Sequence, residues 1–323
     1  MVTDLLDVRR SINMKHKLII FLLSFLIIGL FGGCGSPESS GEEDKLSVVA
    51  TIFPAYDWTR SILGEEGGDA ELTLLLDNGV DLHSYQPSME DIVKISDCDL
   101  LIYVGGESDA WVSDALDNAT NKNMKVVSLL DVLGDAAKVE PDTEDERDEH
   151  VWLSLKNAEV FCNVIAGALG ELAPEHADAY MSNASAYIEE LSALDSEYRE
   201  TVDQATRKTV LFGDRFPFRY LTEDYGLSYF AAFEGCSAET EASFETISSL
   251  AHTVDELGLP CVLTTENAEK GIAETIIQNT TAKNQKILIL DSLQSVTLDD
   301  AEEGVTYLSV MEQNLFVLKE ALN

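Results

Sequence analysis

The stretch Leu72-Thr73-Leu74-Leu75-Leu76-Asp77-Asn78-Gly79-Val80-Asp81-Leu82-His83-Ser84-Tyr85-Gln86-Pro87-Ser88 starts almost entirely apolar, turns polar around one histidine, and stops where helical spacing begins at 89–96. A strand that is apolar nearly throughout, with no polar alternation, belongs in a parallel sheet covered on both faces. The same reading extends outward. Strands are expected at 46–52, 99–104 and 125–129, and Pro54 opens a helix reaching about Leu63. These elements make an N-terminal α/β lobe, 46–155, whose loops carry the polar residues.

Beyond it, 156–172 reads as one helix, and Pro174 suits the start of another because its missing N–H is not needed there. Tyr180, Ala184, Tyr187, Leu191, Leu194 and Tyr198 then recur at steps of four and three, the apolar face of a long helix. Running from 174 to about 205, it would be roughly 48 Å long, enough to act as a stiff spine between two lobes. The second half repeats the alternation, with strands at 209–212, 228–233, 261–265 and 286–290. Its helices are expected at 216–225, 241–257, 269–281 and 307–322. The fold class is therefore α/β: two lobes of mostly parallel sheet, joined by linking helices at 156–207, with the second lobe at 208–323 and a cleft between them.

Ligands of open α/β sheets bind beyond the carboxyl ends of the strands. His83 follows the strand ending near Leu76, Asp214 follows 209–212, Asp291 follows 286–290, and His150 lies in the loop closing the first lobe. The chain has five histidines, and two of them stand in short, polar, aromatic-flanked segments, the second being Asp148-Glu149-His150-Val151-Trp152. Two imidazoles and two carboxylates satisfy a divalent metal. His176 and His252 fall on helical segments with no second ligand at metal spacing and read as surface or packing residues.

Charge narrows the function classes. Against 21 basic residues stand 59 acidic ones, a formal net charge of -38, so the surface repels phosphate backbones and attracts cations. Nucleic-acid binding is a poor match. An acidic run at 140–149, within a loop expected at 134–149, leads straight into His150 and reads as a solvated segment that also gathers cations.

The N-terminus reads as an export signal. Lys15-His16-Lys17 precedes an apolar run at 18–31 that ends in Gly32-Gly33-Cys34, too short for a comfortable span, since a bilayer core needs about 20 apolar residues. Residues 1–33 are expected to be a signal peptide, with Met14 an alternative start. Cys34 would be the lipidated first residue, and 34–45 a tether rich in Ser, Gly and Glu. Cys98, Cys162, Cys236 and Cys261 remain; a Cys236–Cys261 bridge is conceivable, but buried thiols are the preferred reading.

With these motifs in hand, the chain resembles the metal-binding lipoproteins of bacterial zinc and manganese ABC importers, the cluster A-I solute-binding proteins. The resemblance rests on the lipobox at Cys34, the Gly79 to Ser88 segment and His150-Val151-Trp152-Leu153. It also rests on Phe218-Arg219-Tyr220-Leu221 with Tyr225-Gly226-Leu227, and on Asp291-Ser292-Leu293. It implies two lobes on a rigid helix with a metal held between them, His83 and His150 from the first lobe and Asp291 last from the second. It departs at the third ligand. Relatives place a His or Glu five residues before the tyrosine matching Tyr220, and that position here is Arg215, which has no lone pair for a metal. Asp214 is the nearest donor, a carboxylate of Glu239 or Glu241 the alternative, and Arg215 is expected to pair with an acid such as Glu241.

The function implied is a monomeric extracytoplasmic metal receptor, lipid-anchored at the cell surface or the periplasmic side of the membrane. It would pass zinc, or alternatively manganese, to an ABC permease driven by a separate ATPase subunit, because the chain carries no phosphate-binding loop of its own. No catalytic residues are expected. Two alternatives are a metal-dependent surface adhesin and a secreted metallohydrolase, the latter disfavoured by the lack of a His-Glu-x-x-His pair or nucleophile elbow. Metal affinity is expected to fall as pH drops through about 6.5, where free histidine protonates.

Overall fold

The structure is a computed structural model that describes residues 45–65, 70–140, 146–233 and 242–323. Residues 45–323 form one compact unit. Its centre is two four-stranded sheets, all of whose pairings are parallel. The first joins β1 (Leu46–Ala50), β2 (Ala70–Leu74), β3 (Leu100–Tyr103) and β4 (Lys125–Ser128) in the order β2-β1-β3-β4. The second joins β5 (Thr209–Phe212), β6 (Ser228–Ala231), β7 (Cys261–Thr264) and β8 (Lys286–Ile289) in the order β6-β5-β7-β8. The two orders are the same, so the second half repeats the first in topology. In each sheet the first and third strands are central and bury most of their residues, while β2 and β8 at the edges stay partly open.

Strand β2 ends two residues earlier than the apolar run suggests. Leu75 and Leu76 are still buried and still bond to the first strand's end, through Leu75 N–H to Ala50 O (3.0 Å) and Leu76 N–H to Thr51 O (3.1 Å). They fall outside the ladder because β1 has already turned into helix α1 (Phe53–Leu63), which Pro54 starts. The helix expected at 216–225 is shorter, Arg219–Asp224. Pro217 disfavours helical backbone at Phe216, and that ring instead stacks on Tyr229 with centroids 3.7 Å apart. Helices at Trp111–Asp117, Leu129–Leu133 and Leu298–Glu302 were not anticipated from the pattern; each is seven residues or fewer, too short for a periodicity to show.

The spine is present as two helices, Leu155–Leu172 and Ala177–Gln204, with Pro174–His176 as a 3-10 turn between them. The second has 28 residues, about 42 Å at 1.5 Å per residue. Every position of the expected apolar face is buried, and Val202 extends it. This long helix packs on Leu155–Leu172, on α1 from the first half and on the last helix, Tyr307–Ala321, from the second. Tyr198 Oη donates to Met311 O at 2.5 Å. One apolar cluster accordingly runs from Val48 to Leu322 and includes strands of both sheets. A second, smaller cluster around Leu211, Val254 and Ile276 lies under the outer helices of the second sheet. Close packing through both halves resists wide hinge motion. Among the described cysteines, Cys98, Cys162 and Cys261 are free and buried, while Cys236 and Cys34 lie outside the described residues.

Candidate metal centre

His83 sits on a 3-10 turn, Leu82–Ser84, just past β2. Asp81 caps it, its Oδ1 accepting from Ser84 N–H at 3.0 Å. Leu82 and Tyr85 on either side are buried and fasten the turn, and Tyr85 Oη donates to Asp91 Oδ2 at 2.9 Å. His150 precedes a second 3-10 turn, Val151–Leu153, whose three residues are all buried. Its own exposure is 1%.

The two imidazoles meet with Nε2 atoms 3.3 Å apart. Two nitrogens bound to one tetrahedral zinc, at bond lengths of about 2.0–2.1 Å, would lie roughly 3.3 Å apart. The other ring nitrogens are held from behind. His150 Nδ1 is 2.8 Å from Asp148 Oδ1, which also accepts from His150 N–H at 2.9 Å. An ionised carboxylate only accepts, so this bond keeps the proton on Nδ1 and leaves the Nε2 lone pair facing His83. His83 Nδ1 is 2.8 Å from Ser108 Oγ and 3.5 Å from Glu149 Oε2. Glu149 is itself fixed, its Oε1 accepting from Ser108 N–H at 2.9 Å. A Cβ at Gly106, whose φ is +83°, would overlap this carboxylate.

Electrostatics keep the pair receptive. Burial, and then the neighbouring His150, push His83 down to about 4, with the Arg215 guanidinium adding to the effect and Asp81 opposing it. The expectation of titration near 6.5 does not hold for this imidazole, because desolvation disfavours its charged form. Burial alone would raise Asp148, but the hydrogen bonds and charge of His150 bring its carboxyl below the ordinary range. Glu140, Asp148 and His150 together offer ligand atoms within 4.8 Å of one another, so the acidic run starts against the back of His150. The run is pinned at its base by a bridge between Val139 and Arg147. Tyr220 of the second half clamps both flanks, accepting from Lys138 N–H (2.8 Å) and donating to Asp148 O (3.2 Å).

The second half contributes differently. Asp291 follows β8, and Asn314 holds its backbone on both sides at 2.8 Å. Its Oδ1 accepts from Leu293 N–H at 2.7 Å. Leu293 has a φ of +63°, an uncommon conformation for a branched side chain and a mark of local strain. Burial, followed by the charge of Glu266, raises the Asp291 carboxyl. Trp152 Nε1 donates to Ser292 O at 2.9 Å, and the Trp152 ring lies 5.3 Å from that of His150. Leu82, Trp152 and Leu293, each a close chain neighbour of His83, His150 or Asp291, line one small cavity. The fold thus brings the three segments together.

Asp214 is engaged elsewhere. Its Oδ2 accepts from both Thr265 N–H (3.0 Å) and Thr265 Oγ1 (2.5 Å), tying the end of β5 to the end of β7. Arg215 does not need Glu241 as its partner, because its Nη1 reaches Asp81 Oδ2 at 3.1 Å. That guanidinium, with His83 and the Ser84 hydrogen bond, overcomes the upward effect of burial and holds Asp81 below the ordinary carboxylate range. Glu239 and Glu241 lie outside the described residues. His252 is exposed and His176 packs on Tyr180, both away from this arrangement. Sequence reasoning missed Asp148, Glu149, Ser108 and Asp81 as supports. Asp148 carried a usable signal, since it stands two residues before a candidate ligand; Ser108 carried none.

Two anchored imidazoles at ligand spacing, with a buried carboxylate in the second of two repeated parallel sheets, fit a solute-binding component of a metal-uptake system, and the comparisons agree. Residues 48–321 match the family model for ZnuA, the zinc-uptake complex component A, periplasmic, and the chain belongs to that family. It is similar to the zinc-binding lipoprotein AdcA of Streptococcus pneumoniae, 32% identical over 314 residues. That match covers 94% of this chain and 61% of AdcA, so the chain spans about three-fifths of that relative's length. It is also similar to the high-affinity zinc uptake system protein ZnuA of Bacillus subtilis, 28% identical over 318 residues, covering 94% of this chain and 97% of that one. Among solved structures, the Zn(II)-bound ZnuA-like domain of S. pneumoniae AdcA superposes with a TM-score of 0.70 at 32% identity, covering 86% of this chain and 99% of that one. The laminin-binding protein Lmb of Streptococcus agalactiae, described as a bifunctional protein with adhesin and metal transporting activity, superposes at a TM-score of 0.70 with 26% identity, covering 86% of this chain and 100% of that one.

Proposed function

We propose that the chain is an extracytoplasmic receptor that captures one zinc ion between His83, His150 and Asp291 and delivers it to a membrane permease powered by a separate ATPase. The observation that carries this reading is the convergence of two Nε2 atoms at 3.3 Å, each imidazole anchored through its other nitrogen. Zinc is preferred to manganese because that spacing suits tetrahedral nitrogen ligation. Asp214 enters as a brace for the second sheet, with the segment of Glu239 and Glu241 left as the other source of a ligand. The lobes would be 46–155 and 208–323 about the linking helices at 156–207, and release would proceed by small shifts, given the shared core. Cys34 would carry the lipid anchor on a monomeric receptor. The family description, a component of a zinc-uptake complex, supports the permease as partner.

Competitive titration with zinc and manganese tests the reading. One tight zinc equivalent, bound about 1,000-fold more weakly in His83→Ala, is the expected result; wild-type affinity in that variant would reject it. An adhesin role is a second reading, supported by the likeness to Lmb. Laminin binding that survives removal of the metal would favour it.

A further inference from the structure

The segment leading to His83 is stitched to the second half at every other residue. Asp77 Oδ1 accepts from Leu298 N–H at 2.5 Å, Gly79 O accepts from Asn267 Nδ2 at 3.4 Å, and Asp81 Oδ2 accepts from Arg215 Nη1 at 3.1 Å. The three contacts reach three separate segments of the second half, at Leu298, Asn267 and Arg215. Gly79 turns the chain here at a φ of +71°, a conformation glycine adopts without strain. The last stitch is an ion pair, and its carboxylate has a second task. One oxygen of Asp81 holds Arg215 while the other caps the turn that carries His83. Asp81 and the turn therefore move as one piece.

We propose that Arg215 is a positioning residue for metal capture: acting from the second half through Asp81, it latches the His83 turn against His150, and metal leaves when this ion pair opens. The inference rests on the receptor reading above and assigns a task to the position where a donor is absent. Arg215 does not touch the metal. It replaces a bond from the second half to the metal with a bond from the second half to the loop that holds the metal. The side chains are 36% and 18% exposed, so the pair is half-screened and can open at modest cost, as an exchange gate requires.

Two kinds of role give opposite signs. If Arg215 and Asp81 act on the bound dication only through space, removing the positive charge slows zinc release and removing the negative charge speeds it. If they act as a latch, both removals speed release and the double variant is no faster than the faster single. The experiment measures zinc release into excess chelator by stopped flow, using the chain with Arg215→Gln, Asp81→Asn, the double variant and Arg215→Lys. Asparagine keeps an oxygen for the Ser84 cap, so Asp81→Asn tests the ion pair and spares the turn. We expect each single variant to release zinc about fivefold faster or more, with Arg215→Lys intermediate. Raising salt from about 20 mM to about 0.5 M should speed wild-type release and leave the double variant unchanged. Opposite-signed single effects, additive effects, or single variants within about 1.5-fold of wild type would overturn the latch. Loss of zinc binding by wild type itself would instead overturn the receptor reading.

Discussion

The two sides of the cleft are prepared to different degrees. On the first side, His83 and His150 already stand at ligand spacing, each with its second nitrogen anchored, and both turns are fixed by buried neighbours. On the second, Asp291 is buried with a raised carboxyl, Asp214 is committed to Thr265, and the residue beside it is a cation reaching across to Asp81. Preorganised donors bind without paying to be ordered, so affinity should depend chiefly on the imidazole side. The other side should govern charge balance and exchange.

If that asymmetry is real, His83→Ala and His150→Ala should each weaken zinc by a factor on the order of 1,000 in competitive titration, since each removes one of few strong ligands. Equal losses from Asp214→Ala would break the comparison. Asp291→Asn should cost less, about 10–100-fold, and zinc binding should release more protons near neutral pH in wild type than in this variant, because the metal displaces the proton of the buried carboxyl into the buffer. Calorimetry in buffers of different ionisation enthalpy would detect this. A comparable 10–100-fold loss is expected for Asp148→Ala, through the tautomer and orientation of His150, with zinc stoichiometry unchanged.

The pH dependence sharpens the contrast further. His83 has a folded value of about 4 against an unfolded value near 6.5, so the unfolded chain binds more protons in that window. By linkage, stability of the metal-free protein falls as pH drops from about 6.5 toward about 4, and His83→Gln should flatten that part of the profile in thermal unfolding. The same shift means that protonation of His83 does not weaken zinc binding until pH approaches about 4. The smallest effect on metal should come from Asp214→Ala. Affinity should stay within about threefold while stability drops by about 1–3 kcal/mol, since the Thr265 donors lose their acceptor.

Much of the fold was legible because it is written in long patterns. The steps of four and three from Tyr180 to Tyr198 survive as the buried face of a 28-residue helix, and the apolar strands fall in two sheets of one topology. The elements missed were five or seven residues long, such as Leu129–Leu133, where no periodicity accumulates. At the site, His83 and His150 stood out by residue type and setting. Their supports did not, since Ser108 is an ordinary loop serine until the fold places it 2.8 Å from an imidazole. Arg215 shows the limit from the other direction. Its chemistry excluded it as a ligand, but its partner, 134 positions away, could be found only in three dimensions.

The most direct test of the two-imidazole centre is X-ray absorption at the zinc edge of the zinc-loaded chain, where outer-ring scattering counts bound imidazoles. Two imidazoles at about 2.0 Å, falling to one in His83→Ala, is the predicted result. One or none in wild type would contradict it.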